Sequence, residues 1–253
     1  MPTPGHDQAD HRIRLEWGPT GGAVVARRAD VAVVVDVLSF STTVTVAVER
    51  GITVFPYRWR DARAAEYAEE LDANLALQRQ DARYRAGAVS LSPGSLQTAT
   101  GIERLVLPSP NGSTICAELA RSGTGTEVVV ACLRNAQAVA DWLRPRLDGG
   151  AVVAFVPAGE RWPDGSMRPC AEDLWGAGAV LAGLDPALMS PEARLARDAY
   201  AAFESRPLEH LSTCAGGLEL AAAGFAHDVA IAGRLHTSEV VPVLRGGAFM
   251  PGS

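Results

Sequence analysis

The chain has 253 residues, a net charge of −6, and 47% hydrophobic against 21% charged residues. That is the balance of a globular protein with a sizeable core, and its acidic charge argues against nucleic acid or an anionic membrane as the main partner. All 23 basic residues are arginine, so a lysine Schiff base and a P-loop lysine are excluded outright. No apolar run reaches the roughly 20 residues of a membrane span, and the start lacks the layout of a signal peptide. Cys116, Cys132, Cys170 and Cys214 are scattered without a C-x-x-C pair, which points to core thiols in a reduced, cytoplasmic chain.

Residues 1–11 read as a flexible polar tail ahead of a single domain over 12–253. Ile13, Leu15 and Trp17 alternate with Arg14 and Glu16, which predicts a first strand. Gly18 to Gly22 reads as a turn and Ala23 to Arg28 as a short helix. Val31 to Val35 is an apolar, β-branched run of the kind buried on both faces of a parallel sheet, and Asp36 follows where it should end. The hydroxyl cluster Ser39, Ser41, Thr42, Thr43 and Thr45 overlaps the start of a helix closed by Gly51. Ile52 to Phe55 reads as a strand stopped at Pro56. Asp61 then caps a long alanine-rich helix through about Arg79.

Ala86 to Leu91 is weakly strand-like and leads into the loop signal Ser92-Pro93-Gly94-Ser95. Leu105 to Leu107 is a strand, followed by Asn111-Gly112-Ser113-Thr114 and a helix through about Arg121. Val128 to Ala131 is the next strand. Asn135 caps a helix ending near Leu143, because Pro145 disfavours helix at the residue before it. Ala151 to Val156 is a strand. A Gly/Pro loop from Ala158 to Cys170 delivers Glu172-Asp173 to the start of a small-residue helix, Leu174 to Leu184. Helices follow over Pro191 to Glu204 and Pro207 to Gly224, the second broken near Ser212 to Gly217. Val229 to Ile231 and Glu239 to Leu244 read as closing strands that can run antiparallel at an edge. The alternation predicts an α/β fold, three layers α/β/α around a largely parallel or mixed sheet.

Ligands of such sheets bind outside the carboxyl ends of the strands. Polar clusters recur there: Asp36 with its hydroxyl run, Asn111 to Thr114, and Arg134-Asn135, with Glu172-Asp173 reached by the loop after a fourth strand. Asn-Gly followed by Ser-Thr at a helix start frees backbone N–H groups for a phosphate or carboxylate, and is equally an ordinary turn and cap. Asp36 after five apolar residues is costly to bury unless it meets a cation or several donors; as a plain helix cap it would find donors alone. Three carboxylates without a Cys/His cluster favour an oxygen-liking ion such as Mg²⁺ over zinc. No G-x-S-x-G or G-x-G-x-x-G is present, so serine hydrolase and dinucleotide chemistry lack motif support.

Together these segments resemble the 2-phosphosulfolactate phosphatase family. The resemblance rests on Val33 to Leu38 with Ser41-Thr42-Thr43, Ser92-Pro93, Asn111 to Thr114, and Asn135-Ala136 with Val139-Ala140. It continues through Ala158-Gly159, Glu172-Asp173, Ala177-Gly178, Ser212 with Gly216 and Leu218, Gly224, Asp228 and Val241-Pro242, covering about residues 13 to 245. It implies an α/β/α phosphatase that uses Mg²⁺ to hydrolyse 2-phospho-3-sulfolactate to 3-sulfolactate and phosphate in coenzyme M biosynthesis. Asp36, Glu172 and Asp173 become the expected metal and catalytic set. Ser39, Ser41, Thr42, Thr43, Asn111, Gly112, Ser113, Thr114, Arg134 and Asn135 become the expected contacts to a small anionic phosphorylated metabolite.

In that reading a metal-activated water attacks, or Asp36 itself does so to give an aspartyl-phosphate. A homodimer is the expected assembly. The chain departs from the family at Ser39-Phe40, where the family carries an arginine, at Gln78 to Arg83, and at Ser90-Leu91. Those departures leave three readings: this phosphatase, a phosphatase of another phosphomonoester, or a non-catalytic binder of such metabolites.

Overall fold

The computed structural model describes residues 5–58, 63–82, 84–85, 87–121 and 125–252. It opens with β1 (Ile13–Leu15), α1 (Gly18–Val25), β2 (Val31–Val35) and α2 (Phe40–Glu49). Gly18 to Gly22 is thus the first turn of a helix rather than a separate turn, with Pro19 inside that first turn, where its missing N–H has no partner to lose. Gln8, in the expected tail, is buried and exchanges two hydrogen bonds with the Leu15 backbone, at 2.8 and 3.0 Å.

β3 (Thr53–Tyr57) runs through Pro56, and α3 (Arg63–Glu70) follows. Asp61, the expected cap, lies outside the described residues. The predicted helix through Arg79 stops at Glu70: Asp72 takes a φ of +47° and the chain turns back, so that β4 (Asn74–Leu75) can pair with the sheet. A one-turn helix α4 (Arg79–Ala82) and then α5 (Pro93–Gln97) come next. Of the weak strand signal before Ser92, only Ser90 forms a bridge, to Leu77, and Ala86 lies outside the described residues.

β5 (Arg104–Pro108), α6 (Gly112–Arg121), β6 (Glu127–Ala131) and α7 (Ala136–Asp148) continue the alternation. α7 carries Pro145 inside it instead of ending near Leu143, because Leu143 and Leu147 are both buried against the sheet. Packing of that face outweighs one lost backbone bond. β7 (Val153–Pro157) is followed by a small hairpin, β8 (Glu160–Arg161) and β9 (Met167–Arg168), where a plain loop is predicted.

Helices α8 (Ala171–Leu181), α9 (Pro191–Phe203), α10 (Pro207–Thr213), α11 (Ala215–Ala222) and α12 (Ala226–Ala232) precede β10 (Pro242–Arg245) and β11 (Ala248–Pro251). Val229 to Ile231 is therefore helical, not a strand. Three apolar residues carry too little periodicity to separate the two, and packing decides. The strand predicted from Glu239 begins only at Pro242, and β11 is an unpredicted partner.

Nine of the strands form the central sheet, in the order β1-β7-β2-β6-β10-β11-β3-β5-β4. β1, β7, β2 and β6 are parallel, as are β3, β5 and β4; the antiparallel pair β10–β11 joins these two blocks in the middle rather than fringing an edge. This is a mixed, mostly parallel three-layer α/β/α fold. β2 sits between β7 and β6 with all five residues buried; Val31, Val33 and Val35 face α7, α8 and α9, while Ala32 and Val34 face α1, α2 and α6. A strand covered on both faces needs apolar side chains throughout, hence the unbroken run.

Candidate active site

Asp36 leaves the carboxyl end of β2 into a crevice and is only 7% exposed. Its Oδ1 accepts the N–H of Phe40 at 3.2 Å and its Oδ2 the N–H of Gly112 at 3.0 Å. One carboxylate thus ties together the first turns of α2 and α6, where unpaired N–H groups and both helix dipoles favour negative charge. Gly112 has no alternative at this contact, because an added Cβ would sit 2.8 Å from Asp36 Oδ2 and collide with the Phe40 ring.

The hydroxyl run builds this loop from behind. Ser41 Oγ accepts the Asp36 N–H at 3.0 Å and donates to Val34 O at 3.3 Å. Thr42 donates to Val37 O, Thr43 to Leu91 O, Thr45 to Ser41 O and Ser113 to Leu107 O, at 2.8 to 3.2 Å. Each hydroxyl is spent on a backbone carbonyl, so these side chains brace the site. Ser39 is the member of the run that lines the cavity.

The opposite wall comes from α8. Asp173 Oδ1 accepts the Val37 N–H at 2.8 Å and Oδ2 the Gly159 N–H at 2.9 Å, so it staples the loops after β2 and β7 to its helix. The small residues of α8 allow this approach: a Cβ on Gly176 would lie 2.5 Å from Val37 Cγ2 and 2.8 Å from Val35 Cγ1. Glu172 packs against Gly216 and beside the Cys214 thiol. Asp36, Glu172, Asp173, Ser39 and Asn111 share one cavity of about 320 Å³.

Burial drives the electrostatics. Asp36 is pushed up to about 6 by loss of solvent and the charges of Glu160 and Glu172, against the two N–H donors that hold it down. Asp173 lies well above the usual carboxylate range, through burial first and then Asp36 and Glu172. The Cys214 thiol rises to about 12 through burial and Glu172, and Cys170, at the start of α8, also rises, so neither is an activated nucleophile.

Oxygen donors under mutual repulsion, without an arginine ion pair on Asp36, Glu172 or Asp173 among the described residues, suit a hard divalent cation. Among the described residues no three Asp, Glu, His or Cys side chains already converge as a complete ligand cage. Mg²⁺ does not need one, since it is usually held by one or two carboxylates, water and substrate phosphate.

The chain matches the family model described as 2-phosphosulpholactate phosphatase over residues 23–247. The chain belongs to the 2-phosphosulpholactate phosphatase family. It is thereby placed among phosphoric monoester hydrolases. It is also similar to a Deinococcus radiodurans protein named "Probable 2-phosphosulfolactate phosphatase", with 31% identity over 227 residues, 88% of this chain and 90% of the relative.

Several segments that carry the family resemblance meet in space. Ser92 Oγ donates to Asp228 Oδ1 at 2.6 Å, and the Gly94 N–H reaches the same oxygen at 3.2 Å. Gly216 accommodates Glu172, and Gly178 lets α8 lie against Ala196 of α9. Other expected contacts are placed elsewhere. Arg134 pairs with Glu49 at 3.1 Å, away from the cavity lining. Asn135 is fully buried, accepting from Cys132 N at 2.8 Å and donating to Val130 O and Val240 O at 3.3 and 3.2 Å. Thr114 lines a neighbouring cavity, beyond the hydrogen bond from Asn111 Nδ2 to Glu160 Oε2 at 3.0 Å.

Sequence reasoning missed the cationic wall of the cavity, Arg58, Arg79 and Arg168, and the acids Glu160 and Glu219. Arg58 follows a strand's carboxyl end, which is a readable signal. Arg79 and Arg168 arrive from a one-turn helix and a small hairpin that no local pattern announces.

Proposed function

We propose that this chain is a Mg²⁺-dependent phosphatase of a small phosphorylated 2-hydroxy acid, with 2-phospho-3-sulfolactate as substrate, hydrolysed with water to 3-sulfolactate and phosphate for coenzyme M biosynthesis. Membership of the family and the name of the Deinococcus relative support the substrate. The observation that carries the chemistry is Asp36 pinned by two helix N-termini at the end of β2, with Glu172 and Asp173 on the facing wall.

Asp36 and Asp173, each fixed by two backbone N–H groups, are the residues that would hold the cation. Bound there, Mg²⁺ supplies Lewis-acid polarisation of the phosphoryl oxygens and acidifies water. Glu172 takes the proton of the attacking water and returns it to the substrate 2-oxygen as the bond from phosphorus to that oxygen breaks. Asn111 donates to a non-bridging oxygen, while the α2 and α6 dipoles favour the charge that develops. Arg58 and Arg168, in the cavity wall, offset part of the substrate's negative charge.

The test is phosphate release by the purified chain with Mg²⁺, from a panel of 2-phospho-carboxylic acids set against sugar phosphates. We expect turnover of the former and a loss of about a thousandfold in Asp36→Asn, as for removal of a central catalytic group. Full activity in that variant sinks the assignment of Asp36. Preference for a sugar phosphate moves the substrate, and melting shifts without phosphate release make the chain a binder.

A further inference from the structure

Arg79 opens α4 and reaches into the same cavity, where most of its side chain is buried. Its Nη2 donates to Ser39 Oγ at 2.6 Å and to Leu91 O at 2.8 Å, and its guanidinium lies 5.4 Å from the centre of the Phe225 ring. Its Nε lies 3.5 Å from Asp228 Oδ2, yet neither atom has a hydrogen-bond partner among the described residues. An ion pair this long leaves the guanidinium with donor capacity in a cavity wall, where an oxyanion suits it.

Position says which oxyanion. Arg79 is held by Ser39, Leu91 and Asp228, none of them on α8, so it forms a part of the cavity wall separate from Glu172 and Asp173. A phosphoryl group held between Asp36 and α8 therefore leaves the rest of a short substrate pointing towards Arg79. Ser39, which accepts from Arg79, keeps its own proton to donate into the cavity.

We propose that Arg79 and the Ser39 hydroxyl clamp the second acid group of the substrate, the carboxylate or sulfonate that is not transferred. Asp228 acts through Arg79 as its positioning residue, anchored in turn by Ser92 Oγ and the Gly94 N–H. This rests on the phosphatase reading for its substrate, but the clamp can be tested without turnover. A point charge does not reproduce a fork that contacts Ser39 and the ligand together, so Arg79→Lys restores only part of the function.

The experiment compares 2-phosphoglycolate, which carries the acid, with ethyl phosphate, which lacks it, in wild type, Arg79→Met, Arg79→Lys and Asp228→Asn, with thermal melts to confirm folding. Arg79→Met should raise KM for 2-phosphoglycolate about 10- to 100-fold and leave ethyl phosphate within about twofold. Asp228→Asn should raise the same KM less, with kcat unchanged. An equal loss on both substrates, or no loss on either, overturns the clamp. Calorimetric binding of glycolate and sulfoacetate to wild type and Arg79→Met reads the clamp without chemistry. If no variant releases phosphate but these acids bind in an Arg79-dependent way, the phosphatase reading falls and the clamp stands. If they bind equally to both proteins, the clamp falls whatever the kinetics.

Discussion

Gly112→Ala should damage both stability and chemistry, because one hydrogen atom of space separates α6 from Phe40 and Asp36. The added Cβ would overlap the Phe40 ring, with Cγ at 2.7 Å, and would stand 2.8 Å from Asp36 Oδ2. Phe40 cannot yield: it is fully buried and packs edge-on against Phe249 at 6.1 Å. Overpacking of this kind costs about 1–3 kcal/mol. Displacing Asp36 from the Gly112 N–H adds about 1–3 kcal/mol for a weakened bond to a charged group. Better helix propensity returns at most about 1 kcal/mol, so the clash wins.

The net loss of about 1–5 kcal/mol corresponds to a fall in melting temperature of about 2–20 °C for a chain of this size. Melting by circular dichroism and Mg²⁺-dependent phosphate release are the assays. kcat should fall at least tenfold, and Phe40→Leu added to Gly112→Ala should recover part of the melting temperature by making room for the Cβ. A Gly112→Ala protein with wild-type melting and wild-type kcat would refute the reasoning that this contact holds Asp36 in place.

Two further predictions separate charge from scaffold. Asp36 rises from 3.8 to about 6 on folding, which amounts to about 3 kcal/mol favouring the protonated form. That contribution is fully present below about pH 4 and is lost as pH rises through about 6. In chelator, the wild type should therefore lose stability against Asp36→Asn between pH 4 and 7, and parallel melting curves for the two would contradict it. Asn135→Ala should cost about 2–4 kcal/mol, because it strips the Cys132 N–H and the Val130 and Val240 carbonyls of a buried partner. Denaturant unfolding should show the loss while KM for 2-phosphoglycolate stays within about twofold; a KM effect without a stability effect would make Asn135 a ligand contact.

The chain's own pattern was enough to find the carboxylate pair of walls. Asp36 at the end of a buried strand and Glu172-Asp173 at the head of a small-residue helix are both visible because burial of a charge breaks an otherwise apolar context. The role of the hydroxyl run was not visible. A serine or threonine at a helix start donates equally well to a ligand or to a backbone carbonyl, and only the fold shows that Thr42, Thr43 and Ser113 face Val37, Leu91 and Leu107. Arg134 was legible as a cation at a strand end, but Glu49, one turn of α2 beyond Thr45, claims it.

What the sequence determined by itself is the layered α/β architecture, the position of Asp36, and the family, since each depends on local apolar period or on ordered short motifs. What only the tertiary structure decided is non-local. The β10–β11 pair joins two parallel blocks at the centre of the sheet because hydrogen bonding across strands has no trace in a strand's own residues. Arg79 enters the cavity because Ser39, Leu91 and Asp228, from three distant segments, converge on one guanidinium. One cation of the cavity wall is thus set by chain reversal after Glu70, which no window of sequence around Arg79 encodes.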